Sequence, residues 1–201
     1  MTDVIAQLAG LEPGSPIDSL RGRREQARTQ SEASFDALFH PADPGDVPLT
    51  DRLAIAAFSA GIQGQAGVAT FYADAYAAAH GPSAVQAAVR TAYAEAAAHG
   101  PYGRYPAGPL TTEDQDGPEY RVGVPLRQVL GPRLVAAFEH AHMLVLHPRD
   151  ASPRHLQALL DAGWTTPGVV TLSQLVSFLS YQVRIVHGLR VLAAAGPGAA
   201  P

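Results

Sequence analysis

The stretch Leu49-Thr-Asp-Arg-Leu-Ala-Ile-Ala-Ala-Phe-Ser-Ala-Gly-Ile-Gln-Gly-Gln-Ala-Gly-Val-Ala-Thr-Phe-Tyr72 decides the fold of this chain. Thr50 or Asp51 supplies an N-cap, and Leu53, Ala57, Ala60 and their neighbours recur at three- and four-residue spacing, which predicts a helix to about Ile62. Gly61 and Gly64 mark a bend, and a second helix runs from about Gln65 to Ala79, stopped by His80-Gly81-Pro82. Two consecutive apolar helices with so few charges between them read as the centre of an all-α fold.

The same signals continue in both directions. Ser15-Pro16 is a cap followed by a first-turn proline, opening a helix or helix pair to about Phe39, and the Pro- and Gly-containing linker 41–47 closes it. After the core pair, 48–80, a third helix starts at Ser83 and stops at His99-Gly100-Pro101, a second copy of the same stop signal. Residues 100–124 form the one long irregular segment. Its Tyr102, Arg104, Tyr105, Tyr120 and Arg121 suit either a lid or an oligomer arm. Beyond a short turn at 125–130, C-terminal helices are expected at 132–146, 153–162 and 167–194, where Pro132, Pro153 and Pro167 each sit in a first turn. The expectation is thus a single domain over 1–195, with N-terminal helices in 1–47 and about seven or eight helices in all, followed by a flexible tail at 196–201.

Composition excludes whole classes of chemistry. The chain has no cysteine, which removes disulfides, thiolate metal sites and thiol nucleophiles. All fourteen basic residues are arginine, so Schiff-base and P-loop lysines are absent as well. A net charge of -4 without a basic stripe argues against nucleic-acid binding. The run Arg21, Arg23, Arg24, Arg28 is interrupted by Glu25 and reads as a solvated helix face. Asp3 stands where a secretory signal would be positive, and Val169–Val183 falls short of a membrane span. The expected setting is cytoplasmic, with no membrane partner.

The quoted stretch resembles the central helix pair of the alkylhydroperoxidase D-like, carboxymuconolactone decarboxylase-like superfamily. In that family the pair reads Leu-x-x-Arg-Glu, an apolar helix, Asn-Gly, then Cys-x-x-Cys-x-x-x-His. Phe138-Glu-His-Ala-His142, Ala162-Gly163, and Val170-Thr-Leu-Ser-Gln-Leu-Val-Ser-Phe-Leu-Ser-Tyr-Gln-Val-Arg184 through Gly188-Leu189 resemble the last three helices of its peroxidase-related branch. The resemblance covers about residues 16–194 and implies a helical domain that oligomerises through its long helices. Carried over position by position, the family glutamate falls on Leu53, the two cysteines on Gln65 and Val68, and the histidine on Tyr72. The thiol relay is lost, while Arg52 and the Gly64 bend remain.

Several groups are candidates for binding. Gln65 and Tyr72 lie seven positions apart, two helical turns, and with Gln63 either form a hydrogen-bonding pocket or fill the space vacated by the thiols. Glu139-x-x-His142 shares one helical face, but a di-iron bundle needs that motif twice, so no metal is expected. In the last helix Leu172, Leu175, Val176, Leu179, Val183 and Val186 form a stripe opposite Ser173, Ser177, Ser180, Arg184 and His187. That second face, with one arginine among small serines, is expected to be buried at an oligomer interface or in an anion pocket. The ligand-binding candidates are therefore Arg52, Gln63, Gln65, Tyr72, His142 and Arg184.

Two functions follow. The first is a non-redox, cofactor-free member that binds a small ligand, or that serves as scaffold or partner of a cysteine-bearing relative, itself a homo-oligomer. The second is a cofactor-free decarboxylase or lyase using histidine, arginine and tyrosine. A lyase needs an imidazole or acid in the same cavity as Arg52, Gln65 and Tyr72.

Overall fold

A computed structural model describes residues 3–195, so the expected tail at 196–201 lies outside the described residues. Among the described residues the chain is all-α, with nine α-helices, two 3-10 turns and no strand. They are α1 (Val4–Ala9), α2 (Pro16–Gly22), α3 (Glu25–Phe39), α4 (Leu49–Ile62), α5 (Ala66–Ala78), α6 (Ser83–Ala96), α7 (Val124–Leu146), α8 (Pro153–Asp161) and α9 (Thr166–Ala195).

Helix α4 is the hub. Every residue from Arg52 to Ile62 is buried, because α5, α6, α7 and α9 pack around it and leave no solvent face. Small residues set the approach distances. A side chain at Gly61 would collide with the Tyr93 ring of α6, so Gly61 is a packing glycine rather than part of the bend. The bend is Gly64 alone, in the left-handed region at φ 72°. Phe58 stacks on Phe138 of α7, with ring centroids 4.4 Å apart and planes within 4°.

The stripe on α9 is buried as its spacing predicts: Leu172, Leu175, Val176, Leu179, Val183 and Val186 all face the core. Each buried leucine there contributes about 2 kcal/mol through removal from water. The helix is long and apolar enough by length and composition to cross a membrane, and less than half of its most apolar window is buried. Its inner stripe packs on protein, chiefly α1, α4 and α7.

Three elements differ from expectation. Helix α1 is an addition: Asp3 caps it by accepting from the Ala6 N–H at 3.0 Å, and Val4, Ile5 and Leu8 bury against the core. Asp3 also accepts from Arg21 at 2.8 Å and lies 3.1 Å from Arg28, so the arginine run is in part a clamp on α1 rather than a solvated face. The expected turn at 125–130 is helical, and α7 breaks only at Gly131 (φ 72°), where Pro132 restarts it. Finally, α4 begins at Leu49 after Pro48, with no side-chain cap from Thr50 or Asp51.

Residues 97–123 run over the surface and are tied down along their length. Tyr102 donates from its N–H to Leu146 O at 2.6 Å, Gly103 and Gln115 exchange backbone bonds, and Arg149 lies 4.1 Å over the Tyr105 ring. The segment closes over one end of α7 of its own chain.

Candidate functional site

The positions that would carry thiol chemistry are taken up by packing. Leu53 and Val68 are core residues. Tyr72 is fully buried, stacks on Phe39 at 5.0 Å and donates its hydroxyl to Gln182 Oε1 at 2.7 Å. Burial drives its pKa far upward, the Gln182 bond opposing, so it is a neutral phenol serving as a donor inside the core. Gln65 does not share its direction. Gln65 is the residue before α5, with φ -98° and ψ 70°, so helical spacing does not govern where its side chain points, and it lies half-exposed at the turn.

Arg52 is likewise placed apart from Gln65. Its guanidinium donates to Val47 O at 2.9 Å, Leu38 O at 2.7 Å and Pro44 O at 2.7 Å. It thereby satisfies a terminal carbonyl of α3 and braces the 40–47 linker against α4. No carboxylate pairs with it among the described residues, and burial lowers its pKa. The expected grouping of Arg52, Gln65 and Tyr72 in one cavity does not occur.

What the structure does assemble at the α4–α5 turn is an open cleft of about 490 Å³. Gln63 and Gln65 line one wall, His99 and Pro101 another, and Arg184 with His187 a third. No aspartate or glutamate lines it. Gln63 spends one amide N–H on Ser59 O at 2.8 Å, leaving its oxygen and second hydrogen available. Arg184 is exposed in the single chain, on the face expected to be covered at an oligomer interface or in an anion pocket, and it lines this cleft. Its one hydrogen bond among the described residues runs to Ser180 O of its own helix at 2.8 Å. The cleft therefore presents one guanidinium, two imidazoles and two amides with apolar patches from Ile62, Val145 and Val183, a donor-rich setting for a small anion.

His142 lies elsewhere, under residues 118–122 at the end of α7. Its ring faces Tyr120 at 5.5 Å and His147 at 5.9 Å, and burial pushes its pKa down to about 4, His147 adding to the shift and the Ala96 carbonyl opposing it. Glu139 accepts from Arg127 at 2.6 Å, Arg121 at 2.9 Å and the Val122 N–H at 3.1 Å, which welds the end of the long segment to α7. His147 is held between Asp150 Oδ2 at 3.1 Å and Pro118 O at 3.0 Å. The cavity left here is about 20 Å³, room for a single water. Among the described residues no three histidine, aspartate or glutamate side chains come together as a metal site.

Two further polar side chains are buried here, Gln182 and His140, and of these the pairing of Gln182 with Tyr72 is the one no local sequence signal gives. Gln182 sits in the buried stripe of α9, and only its wrong polarity for a core position marks it. His140, beside the expected His142, is buried with neither ring nitrogen hydrogen-bonded among the described residues. Burial first, then His155, pushes its pKa down to about 4. No family model, curated protein or solved structure matches this chain.

Proposed function

We propose that the chain is a non-redox, alkylhydroperoxidase D-like protein that binds a small carboxylate or similar anion in the cleft at the α4–α5 turn. One observation carries the proposal: Gln65, at the position the resemblance gives to the first cysteine, opens with Gln63 onto a cleft holding Arg184 and no carboxylate. With an amide at Gln65 and a buried Val68 in place of the two thiols, the site can orient and neutralise a ligand but cannot pass electrons to it. The exposed guanidinium supplies the charge, and the amides supply donors and acceptors that fix orientation.

The test is calorimetric titration with benzoate and maleate of the intact protein and of Gln65→Leu and Arg184→Gln. Binding of either carboxylate that both substitutions weaken about tenfold supports the site. Binding that neither substitution alters, or thiol-dependent peroxide reduction by the pure protein, refutes it.

A lyase reading is favoured by His99 and His187, two imidazoles in the same cleft as Gln65 and Arg184. An imidazole could move the proton while the guanidinium holds the developing oxyanion. Carbon dioxide release from a 3-oxo acid, lost in both His99→Gln and His187→Gln, would move the assignment to that class.

Self-association through α9 belongs to the same proposal, whether between copies or with a cysteine-bearing relative. Residues 166–183 carry no formal charge, yet Val170, Gln174 and Ser177 are exposed along them. Sedimentation should show a multimer that Ser177→Glu dissociates.

A further inference from the structure

A second concavity lies on the far side of Arg184. Between α2, α3 and α9 runs a groove of about 330 Å³ whose floor is Leu20, Ala27, Ile185, Leu189 and Leu192. Four arginines rim it, Arg21, Arg24, Arg28 and Arg184, and they are not equivalent. Arg21 is neutralised by Asp3, and Arg28 by Asp3, Asp18 and Glu32. Arg24 is exposed and has no carboxylate partner among the described residues, and Arg184 bonds only to its own helix. At one end the hydroxyls of Ser31 and Tyr181 meet at 2.8 Å, and the Ser31 hydroxyl donates to Ala27 O at 2.6 Å, so that end is closed by a self-satisfied polar pair. Midway, Gly188 keeps the floor open: a Cβ there meets nothing within 4 Å.

We infer that this groove binds a single-chain amphiphilic anion, a fatty carboxylate, with its alkyl chain on the leucine floor and its head at Arg24. The groove is complementary to such a ligand in two ways. A concave apolar trough of this volume is the size of a small-ligand pocket and fits one flexible chain. The uncompensated charge at its rim is positive only, so the head group is an anion. A second copy of this chain fits poorly, because a two-fold interface would set arginines of one groove against those of the other. A bilayer surface presents a plane, and Ile185, Leu189 and Leu192 are half-buried or buried between the helices, with only Leu20 and Ala27 exposed at the edge.

The test uses the whole chain and three probes, decanoate, decanol and acetate, followed by calorimetry. Decanoate should bind one to one, with decanol and acetate each at least about tenfold weaker. Gly188→Phe fills the groove from a helical position where glycine is the poorer helix former and a Cβ meets no atom within 4 Å. It should abolish decanoate binding, and Gly188→Leu should do the same should the phenylalanine variant fail to fold. Arg24→Gln should weaken decanoate about tenfold and leave decanol unchanged. Decanoate that does not bind, or binds undiminished to both Gly188 variants, overturns the inference, and decanol matching decanoate overturns the anionic class. So does a concentration-dependent dimer, or attachment to phosphatidylglycerol vesicles, that Gly188→Phe abolishes while decanoate leaves the wild type untouched.

Discussion

At the end of α7 the chain pairs its charged groups with one another, and along α9 it leaves them open. In the first region Glu139 takes two arginines and a backbone N–H and His147 bridges Asp150 and Pro118 O; about 20 Å³ is left beside His142, and the hollow of about 330 Å³ toward α8 is lined by Arg121 and Arg127, both already paired with Glu139. In the second, Arg24 and Arg184 have no carboxylate partner among the described residues, and the concavities beside them measure about 330 and 490 Å³. Both regions hold arginine, histidine and tyrosine, the residues a sequence reading marks as functional. The difference shows that residue type alone does not separate a brace from a site. An arginine left unpaired beside open volume does.

The largest effect should come from acidifying the first region. His140 and His142 are buried with pKa values near 4, against an ordinary value of 6.5 in the unfolded chain. Between those values the unfolded chain binds protons that the folded one refuses, so stability present above pH 6.5 is lost as the pH falls to 4. Each histidine accounts for about 3 kcal/mol over that range. Denaturant titrations at pH 7, 5.5 and 4 measure the loss, and the double variant His140→Leu, His142→Phe should flatten it. A limb that stays steep in the double variant would place the titration on other groups. Asp3 acts lower: its burial opposes ionisation, but the bonds from Arg21 and the Ala6 N–H outweigh it, so its contribution fades only below its ordinary range.

Next in size is Glu139→Gln, which keeps the shape of the clamp and removes its charge. The side chain is 15% exposed, and replacing two charge-assisted bonds with amide contacts should cost about 2 kcal/mol and loosen residues 118–127. Hydrogen exchange at Val122 reads the loosening directly. Smaller again, and of opposite sign, is His140→Leu. Neither ring nitrogen has a hydrogen-bonding partner, so an apolar side chain of similar volume should stabilise the fold by about 1 kcal/mol at pH 7.

Much of the fold was legible because its signals are local. Pro16, Pro132, Pro153 and Pro167 each fix a φ that a first helical turn needs, and the leucine and valine stripe on α9 repeats often enough to be seen. Helix α1 was not legible. Its six residues are too short to show a period, and the Asp3 clamp depends on Arg21 and Arg28 from another helix. The two His-Gly-Pro stops read alike and end differently. His80 adopts a left-handed φ of 58° with Gly81 packed on the Tyr76 ring, whereas the second stop runs extended from Ala97, and Gly100 lies against Leu146. The site was half legible. Gln63, Gln65 and Arg184 do line one cleft, but Tyr72 is drawn into the core by Gln182, 110 residues away, and Arg52 by three carbonyls that no side-chain pattern encodes.

The smallest expected change in stability is the one that bears most on function. Arg184→Gln removes an exposed side chain bonded only to Ser180 O, so stability should move by less than about 0.5 kcal/mol. Carboxylate binding in the cleft should fall about tenfold at the same time, because the substitution removes the formal charge that faces the ligand and leaves the amides of Gln63 and Gln65 in place. A neutral amide ligand, benzamide, should lose little by comparison. Denaturation and titration of the same preparation check both halves. A stability loss as large as that of Glu139→Gln would mean that Arg184 is spent within the fold, and the contrast between the two regions would then fail at the residue on which it depends.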